Sequence, residues 1–400
     1  MNVLVLNAGS SSLKFRLLHI ERADAGSAHA LADGIVEKWG TPDAALRLTV
    51  EGHPPEHRSV AAESSRDAAE HAIQACLPFG IDAIGHRVVH GGARYEQPTR
   101  ITRQVIEGIR EVSHLAPLHN ALAIAGMEAG WKLLPKVAAV AVFDTAFHRT
   151  LPPVAFRYAL PLEWAEQHDL RRFGFHGISH RYVSGKLLEC LGRPAAGTRL
   201  ITCHLGNGSS LCAVRDGQSI ETSMGLTPME GLIMGTRSGD VDPGLVLHLM
   251  DELKMTVREV DDLLNRRSGL LGLSGRSGDV RDMEQAAQSG DARAEAALES
   301  FAYRARKYLG AYAAVLGGVD AIAFAGGIGE HSAGTRQRIV RGLEFLGMYL
   351  DAARNAAVPK DDPARISTRD SRVAIWVIPT NEELQIAREV FGLLSDPPRE

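Results

Sequence analysis

Residues 3–15 read VLVLNAGSSSLKF, and this stretch decides the fold of the N-terminal part of the chain. Four apolar residues enter a turn of small and hydroxylated residues, and a second apolar segment follows Lys14. The stretch is not a P-loop, because that motif requires G-x-x-x-x-G-K-[ST] at the start of a helix. The pattern instead predicts a β-hairpin whose turn handles phosphate.

A similar pattern returns in the second half of the chain at residues 200–214, LITCHLGNGSSLCAV. Each stretch consists of an apolar strand, an Asn/Gly turn, Ser-Ser-Leu and a second strand. Gly-Ser turns are common, so coincidence is one explanation. The other is a duplicated domain with one phosphate-facing hairpin in each half. Backbone N–H groups and hydroxyls of two such turns could hold the phosphates of a nucleotide.

Length and composition narrow the class of protein. A chain of 400 residues with 45% hydrophobic and 23% charged residues predicts a globular protein of two domains or more. The net charge of −4 and the scattered arginines favour neither a nucleic-acid nor a membrane partner. The four cysteines show no disulfide spacing, and no signal peptide is recognisable, so we expect a cytoplasmic protein with reduced thiols.

Strand-like and helix-like segments alternate along the chain, which is typical of an α/β fold with substantial sheets. Examples are the strands VAAVAVF and DAIAFAGG and the helical pattern ARAEAALESFAYRARKYLGAYAAVL. The segment Thr150-Leu151-Pro152-Pro153 follows a strand and breaks regular structure. It is a plausible domain boundary.

Two charged residues lie at the ends of predicted strands in the first half. Arg87 stands next to the two valines of HRVVHGG, where its planar guanidinium could meet a carboxylate or phosphate, although an internal salt bridge is equally expected. Asp144 ends the strand VAAVAVF, where α/β sheets place ligand-binding groups. It could bind Mg²⁺ or act as a base, and an Asx turn is the alternative.

The second half contains three further candidate segments. His176 and His180 in FGFHGISH are spaced as in zinc proteases, but Gly177 occupies the position of their glutamate, so contact with phosphate is preferred over zinc. Arg237 lies in a long Gly/Thr/Pro stretch that we expect to be a functional loop. The glycines of FAGGIGE separate a strand from a helix, an arrangement that suits a nucleotide but not the NAD fingerprint.

The segment PTNEEL, residues 379–384, follows the apolar strand VAIWVI. Thr380 and Glu383 have the spacing of a helix capping box. Such a cap leaves Glu382 unexplained, and this residue could either support a metal ion or interact with the helix dipole.

Taken in order from LNAGSSSLKF to PTNEEL, these motifs resemble the acetate kinase family, of the acetate and sugar kinase, heat-shock chaperone and actin superfamily. The resemblance implies duplicated ribonuclease-H-like (actin-like ATPase) α/β domains with a central cleft. The N-terminal domain would comprise residues 1–150 plus 381–400, and the nucleotide-binding and dimerisation domain residues 151–380. The implied reaction is reversible in-line phosphoryl transfer between ATP and acetate, giving acetyl phosphate and ADP. It also implies Mg²⁺ (Mn²⁺ is possible) and a cytoplasmic homodimer.

The resemblance also implies roles for individual residues. The catalytic groups would be Asp144, His176, Arg237 and Arg87, of which Arg87 also binds substrate. The metal would be supported by Asn7 and Glu382, and the acetate methyl group would contact Val89, Leu118, Phe175 and Pro228. The nucleotide would contact Lys14, His204, Leu205, Gly206, Asn207, Gly208, Asp279, Val280, Arg281, Gly327, Ile328, Gly329, Glu330 and His331.

Some positions depart from the family pattern, and other functions remain open. His331 stands where the family usually has Asn, which bears on nucleotide preference. A kinase for propionate or another short-chain carboxylate is the nearest alternative. A nucleotide-gated interaction module on an actin-like fold is an alternative from another class, and a metallohydrolase using the histidines between His86 and His180 is a third. The irregular spacing of those histidines disfavours the last.

Overall fold

The structure is a computed structural model that describes residues 1–9, 12–22 and 28–395. The strands are β1 (Asn2–Ala8), β2 (Ser12–Ile20), β3 (Ala28–Glu37), β4 (Ala45–Val50), β5 (Glu56–Ser59), β6 (Ala83–Val88), β7 (Thr99–Arg100), β8 (Ala138–Phe143), β9 (Arg199–Leu205), β10 (Ser209–Arg215), β11 (Gln218–Thr222), β12 (Ala321–Ala325), β13 (Ala364–Arg365) and β14 (Ala374–Val377). The α-helices are α1 (Ser65–Cys76), α2 (Arg103–Glu111), α3 (Pro117–Leu133), α4 (Pro153–Phe156), α5 (Leu162–Gln167), α6 (Gly177–Leu191), α7 (Pro243–Asp251), α8 (Val257–Arg266), α9 (Gly269–Ser274), α10 (Val280–Gln288), α11 (Ala292–Leu316), α12 (Gly326–His331), α13 (Ala333–Val340), α14 (Ala352–Ala356) and α15 (Glu382–Ser395).

The chain divides into two compact units. Unit 1 contains residues 1–146 and the C-terminal segment that begins at Asn381, and unit 2 contains Phe147–Thr380. The sequence predicted the first boundary at residues 150 and 151, and the division lies at Ala146 and Phe147. Each unit has its own sheet and its own apolar core.

Unit 1 is built on an eight-stranded sheet with the order β5-β4-β3-β2-β1-β6-β8-β7. Strands β1, β2 and β3 form an antiparallel meander, whereas β6 and β8 extend the sheet from β1 in parallel. The predicted hairpin is present, with Asn7 opposite Lys14 and the amide of Gly9 donating to the Ser12 carbonyl. Ser10 and Ser11 of its turn lie outside the described residues.

Unit 2 repeats this plan in a six-stranded sheet with the order β11-β10-β9-β12-β14-β13. Strands β9, β10 and β11 form the antiparallel meander, and β12 and β14 add in parallel. Apart from β4, β5 and β7 in unit 1 and β13 in unit 2, the described residues of each unit form five strands. Numbered along the chain, these five lie in the sheet in the order third, second, first, fourth, fifth. This order, with these strand directions, defines a ribonuclease-H-like unit, so the predicted duplication and α/β class are confirmed.

The C-terminal helix α15 packs on the sheet of unit 1. A side chain at Gly85 on β6 would begin 2.7 Å from Ile386 and 2.9 Å from Val390, so only glycine allows this approach. Burial of Ile386 and Val390 fixes the start of α15, and with it Glu382, at the sheet. Within the part of the chain that the structure describes, no helix is long and apolar enough to span a bilayer.

Candidate active site

In unit 1, Arg87 and Asp144 form a buried ion pair at the ends of neighbouring parallel strands. Nε of Arg87 donates to Oδ1 of Asp144 at 3.1 Å and Nη2 donates to Oδ2 at 2.7 Å. Nη1 donates to the amide oxygen of Asn7 at 3.1 Å. These bonds use three of the five N–H groups of the guanidinium and leave one on each terminal nitrogen. The predicted salt bridge is therefore present at Arg87, and the anion site remains a prediction.

Two more carboxylates reach the same cluster from the first turn of α15. The Asn7 amide nitrogen donates to Glu383 at 2.9 Å and to Glu382 at 3.3 Å, and Glu382 lies 3.6 Å from Nη1 of Arg87. Burial alone would lower the pKa of Arg87, but Asp144 and Glu382 outweigh it and raise that pKa. Three carboxylates around one guanidinium leave a surplus of negative charge, which suits a cation.

The remaining predicted site residues of unit 1 differ in exposure. Lys14 is exposed on β2, whereas Val89 is buried just beyond β6. Leu118 lies in the first turn of α3, and its side chain is outside what the structure describes. Asn120 of α3 binds the backbone of His90: its amide oxygen accepts the His90 N–H at 3.1 Å, and its amide nitrogen donates to the His90 carbonyl at 3.0 Å. It therefore holds the Val89–His90 segment against α3.

In unit 2, His176 and Arg237 lie at the turn between β9 and β10. A side chain at Gly208 would begin 3.3 Å from the His176 ring and 3.4 Å from Nη2 of Arg237. Gly208 thus allows both side chains to approach the turn. The His176 ring also stacks on His204, with ring centroids 4.2 Å apart. His176 itself has a left-handed backbone with φ of 54° and occupies the N-cap position of α6, where its side chain makes no capping hydrogen bond.

Arg237 differs from Arg87 in its partners. Its guanidinium is half-buried and donates to the Pro228 carbonyl at 2.7 Å. Among the described residues, no carboxylate lies within ion-pair distance of it, and burial lowers its pKa. A half-buried guanidinium that forms no ion pair with a carboxylate of the described residues is suited to bind an anionic ligand.

The long segment that carries Arg237 contains no helix or strand between Thr222 and Pro243, as predicted. Arg172 fixes its beginning, since one guanidinium nitrogen donates to the carbonyls of Thr222, Ser223 and Met224. A second nitrogen pairs with Glu230 at 2.6 Å. The loop that contains Pro228 is therefore held from both sides. Phe175 is buried and its carbonyl faces His148.

Three glycine-containing segments meet at the β9–β10 turn. A side chain at Gly235 would begin 2.2 Å from Asn207 and 3.1 Å from the Gly278 carbonyl, which brings the segment before Asp279 to this turn. A side chain at Gly326 would begin 2.7 Å from the Leu205 carbonyl. The three predicted nucleotide segments, residues 204–208, 279–281 and 327–331, therefore lie around one turn.

Within these segments the side chains have different surroundings. Asp279 caps α10 and pairs with the exposed Arg281 at 2.6 Å, whereas Val280 is buried in the core, so a nucleotide could reach only its backbone. The sequence predicted that the glycines of FAGGIGE separate a strand from a helix, and in the structure Gly326–His331 itself forms the short helix α12. His331 is exposed at its end.

Glu330 connects α12 to the end of unit 2. Its Oε1 accepts the backbone N–H groups of Gly326 and Thr380, each at 2.9 Å, and the Thr380 hydroxyl at 3.2 Å. Thr380 is the last residue of unit 2. Glu330 therefore fixes the backbone at the start of α12 and joins it to the last residue of unit 2.

We expect Glu330→Ala to lower the free energy of unfolding by about 2–4 kcal/mol, because two backbone donors lose their acceptor. Urea titration of the full chain measures this change. The exposed Glu166→Ala provides the matched control and should have no effect. Equal stability of the two variants would contradict the role assigned to Glu330.

A row of hydrogen-bonded histidines lies behind His176. Nδ1 of His176 and Nε2 of His180 each lie 2.8 Å from Oγ of Ser210, and Nδ1 of His180 lies 2.7 Å from Oγ1 of Thr202. His148 contacts Ser219 and the Phe175 carbonyl at 2.8 and 3.0 Å. His180 and His148 are fully buried. The four-residue spacing of His176 and His180, which resembles that of zinc proteases, therefore places both rings in an internal hydrogen-bond network.

Stability should fall on acidification. Burial lowers the pKa of His86 to about 3, that of His148 to about 4 and that of His180 well below its ordinary value. Between about pH 6.5 and pH 4 the unfolded chain binds protons that the folded chain does not, so the unfolding free energy decreases as the pH decreases. Each fully shifted histidine contributes about 1.4 kcal/mol per pH unit. Urea titrations at pH 7.5, 6.0 and 5.0 measure the slope, and a pH-independent free energy would contradict it.

The predicted capping box at the start of α15 is wrong. Asn381 caps the helix, since its side-chain oxygen accepts the Leu384 N–H at 3.1 Å. Thr380 binds Glu330 and Glu383 binds Asn7, so tertiary partners displaced the local motif. Sequence reasoning also missed Ser210 and Thr202 as partners of the histidines. The alternation along β9 and β10 was the available signal, because it places both on one face of the sheet.

These two clusters on two ribonuclease-H-like units define a class of duplicated α/β proteins that could hold a cation in unit 1 and an anion in unit 2. The sequence profile of the Acetokinase family matches residues 2–388. The chain belongs to this family.

Individual relatives agree with this assignment. The acetate kinase of Geobacillus kaustophilus (strain HTA426) is 49% identical over 399 residues, covering 98% of each chain. The crystal structure of Porphyromonas gingivalis acetate kinase superimposes with a TM-score of 0.88 at 42% identity, covering 98% of this chain and 99% of that one. A propionate kinase structure from Francisella tularensis subsp. tularensis SCHU S4 gives 0.89 at 39% identity, covering 97% and 98%.

Proposed function

We propose that this protein catalyses the acetate kinase reaction. A carboxylate oxygen of acetate attacks the γ-phosphorus of ATP in line, the bond from phosphorus to the bridging oxygen breaks, and acetyl phosphate and ADP form. The observation that carries this proposal is Arg237, a half-buried guanidinium at the β9–β10 turn with no carboxylate partner among the described residues. Membership of the Acetokinase family supports the choice of reaction.

The chemistry needs positive charge more than a base. Acetate is ionised at neutral pH, so no proton has to be removed from the nucleophile. Phosphoryl transfer depends mainly on positioning and on stabilising charge at the equatorial oxygens. Arg237 and His176, both beside Gly208, would hold the transferring phosphoryl group. Main-chain groups of residues 204–208, 279–281 and 327–331, with Lys14, would bind the nucleotide.

In unit 1, Arg87 would hold the acetate carboxylate. Asp144 fixes the guanidinium through two hydrogen bonds, and the two N–H groups that remain on its terminal nitrogens are available to the substrate. Asp144 therefore orients Arg87 and would add negative charge that favours a metal ion, and it would not act as a base because acetate is already ionised. Val89, Leu118, Phe175 and Pro228 would surround the methyl group.

The donors of unit 1 fit Mg²⁺. Carboxylate and amide oxygens are the ligands that Mg²⁺ prefers, and it commonly uses one or two carboxylates with waters and substrate phosphates. No three His, Cys, Asp or Glu side chains in residues 1–9, 12–22 and 28–395 are arranged to hold a metal alone. Glu382 would hold the ion, with Asn7 positioning Glu382 through its amide nitrogen. Bound Mg²⁺, or Mn²⁺, would neutralise phosphate charge during transfer.

A hydroxamate assay tests the function directly. Purified protein with ATP, Mg²⁺ and acetate should form acetyl phosphate, which hydroxylamine traps as a coloured iron–hydroxamate complex. The same assay without ATP is the control. Absence of hydroxamate at saturating ATP and acetate would contradict the proposed function, and turnover of ATP without acetate would favour a hydrolase or an interaction module.

The chain length of the carboxylate should affect the rate. Acetate should have a higher kcat/KM than propionate, and propionate a higher value than butyrate, because a buried valine at position 89 limits the pocket. Each methylene is worth about 1–3 kcal/mol in such a pocket, a factor of about 10–200. Equal values would contradict this pocket, and a preference for propionate would favour the activity named for the Francisella tularensis relative.

We further propose that the enzyme is a homodimer formed through unit 2 and that it acts in the cytoplasm, where ATP and ADP are available. Large exposed apolar side chains of the described residues lie mostly in unit 2, among them Trp164 at 65%, Leu247 at 68% and Val257 at 68% exposure. Such residues are suited to an interface between subunits. Light scattering of the purified chain measures its mass.

A further inference from the structure

The hydrogen bonds behind His176 have a direction that donors and acceptors determine. Thr202 is buried on β9, and in the part of the chain that the structure describes its hydroxyl has one partner, Nδ1 of His180. A buried hydroxyl hydrogen without an acceptor costs about 1–3 kcal/mol. The Thr202 hydroxyl therefore donates to His180, and Nδ1 of His180 accepts.

This direction continues to His176. Full burial keeps His180 neutral, so its single ring proton is on Nε2 and donates to Oγ of Ser210 at 2.8 Å. The Ser210 hydroxyl has one hydrogen, which is then directed to Nδ1 of His176, also at 2.8 Å. Nδ1 of His176 thus accepts, and the proton of a neutral His176 is on Nε2.

We propose that Thr202, His180 and Ser210 are positioning residues that hold His176 as the neutral Nε2–H tautomer, with its N–H directed away from the relay. This inference rests on the proposed function, in which that N–H donates to the transferring phosphoryl group. The opposite tautomer would present a lone pair to the anionic oxygens. The relay therefore prepares the donor before the nucleotide binds.

The surroundings of His176 within unit 2 agree with a neutral ring. The titratable and charged groups that face it there are His180 from its own helix, His204 from β9 and Arg237 from the long loop, with His148 behind His180. Of these groups, Arg237 is a cation. Protonation of His176 would make its Nδ1 a donor to Ser210 and would reverse each hydrogen bond from there to Thr202. The Thr202 hydroxyl hydrogen would then lack an acceptor.

Long-range ¹H–¹⁵N correlation spectra of the full chain with ¹⁵N-labelled histidine report the protonated nitrogen of each ring. His176→Gln identifies the His176 signals by their loss. The wild type should show the His176 proton on Nε2. Thr202→Val keeps a similar shape without the hydroxyl, and it should shift His176 toward the Nδ1–H form. Thr202→Ser retains the hydroxyl and should keep the wild-type spectrum.

Steady-state kinetics of the Thr202 variants and of Ser210→Ala distinguish a positioning role from a general loss of folded protein. Thr202→Val should lower kcat about tenfold and Ser210→Ala about 10²-fold, with KM for ATP and acetate within about twofold of the wild type. Thr202→Ser should retain kcat. A wild-type proton on Nδ1, or a Thr202→Val spectrum identical to that of the wild type, would overturn the relay. Wild-type protein that forms no acetyl phosphate contradicts the proposed reaction instead, and the spectra still decide the relay.

Discussion

Arg237→Gln is expected to lower kcat by about 10²–10³-fold without destabilising the protein. The loss follows from the proposed contact between the guanidinium and the transferring phosphoryl group. Stability should be equal to or slightly above that of the wild type. The reason is that Arg237 is a half-buried cation without a carboxylate partner in the described chain, and its removal strands no opposite charge. Binding of ADP, measured by calorimetry, should persist.

The control for this prediction is an arginine of the same unit that contacts nothing in the site. Arg258→Gln on the exposed face of α8 should keep the kcat and melting temperature of the wild type. A kcat of Arg237→Gln within a few-fold of the wild type would show that the phosphoryl group is held elsewhere. A large loss of stability would show that Arg237 is a structural residue.

Arg87→Gln should lower kcat to a similar extent but should also destabilise the protein by about 3 kcal/mol. Asp144 is 1% exposed and lies with Glu382 and Glu383 around the same guanidinium, so the substitution removes the arginine that pairs with a buried carboxylate. Hydroxamate kinetics and urea unfolding measure the two effects. Unchanged stability would contradict the buried ion cluster.

A second substitution separates catalysis from stability at this position. Arg87→Gln combined with Asp144→Asn removes both charges of the pair and should recover much of the lost stability, because a neutral pair needs no counter-charge. Turnover should remain low, since the substrate still lacks its guanidinium. Arg94→Gln, at an exposed arginine of unit 1, is the control and should be neutral in both measurements. Recovered turnover in the double variant would refute a direct role for Arg87.

The sequence predicted those parts of the fold that depend on neighbouring residues. The hairpins at residues 3–15 and 200–214 follow from alternating apolar residues around small turn residues, and both are present. It also selected Arg87, Asp144, His176 and Arg237 as candidate site residues, because each interrupts an apolar or glycine-rich pattern where a charged group needs a partner. The ordered motifs then sufficed to identify the family.

Partners distant in sequence could not be predicted in the same way. Asn7 binds Glu383, 376 positions away, and this contact replaced the capping box that the local spacing favoured. Arg87 and Arg237 appear alike in the sequence, yet one lies among three carboxylates and the other has none among the described residues. For this reason, loss of Arg87 is expected to destabilise the protein and loss of Arg237 is not.

The sequence by itself determined the strand hairpins, the duplication and the family, because periodic burial and turn chemistry act over a few residues. Only the tertiary structure decided the charge balance around each arginine, the hydrogen bonds from Thr380 to Glu330 and the contact between His176 and Ser210. Burial makes hydrogen-bond and charge partners obligatory. Which partners are available depends on strands and helices that meet only in the folded chain.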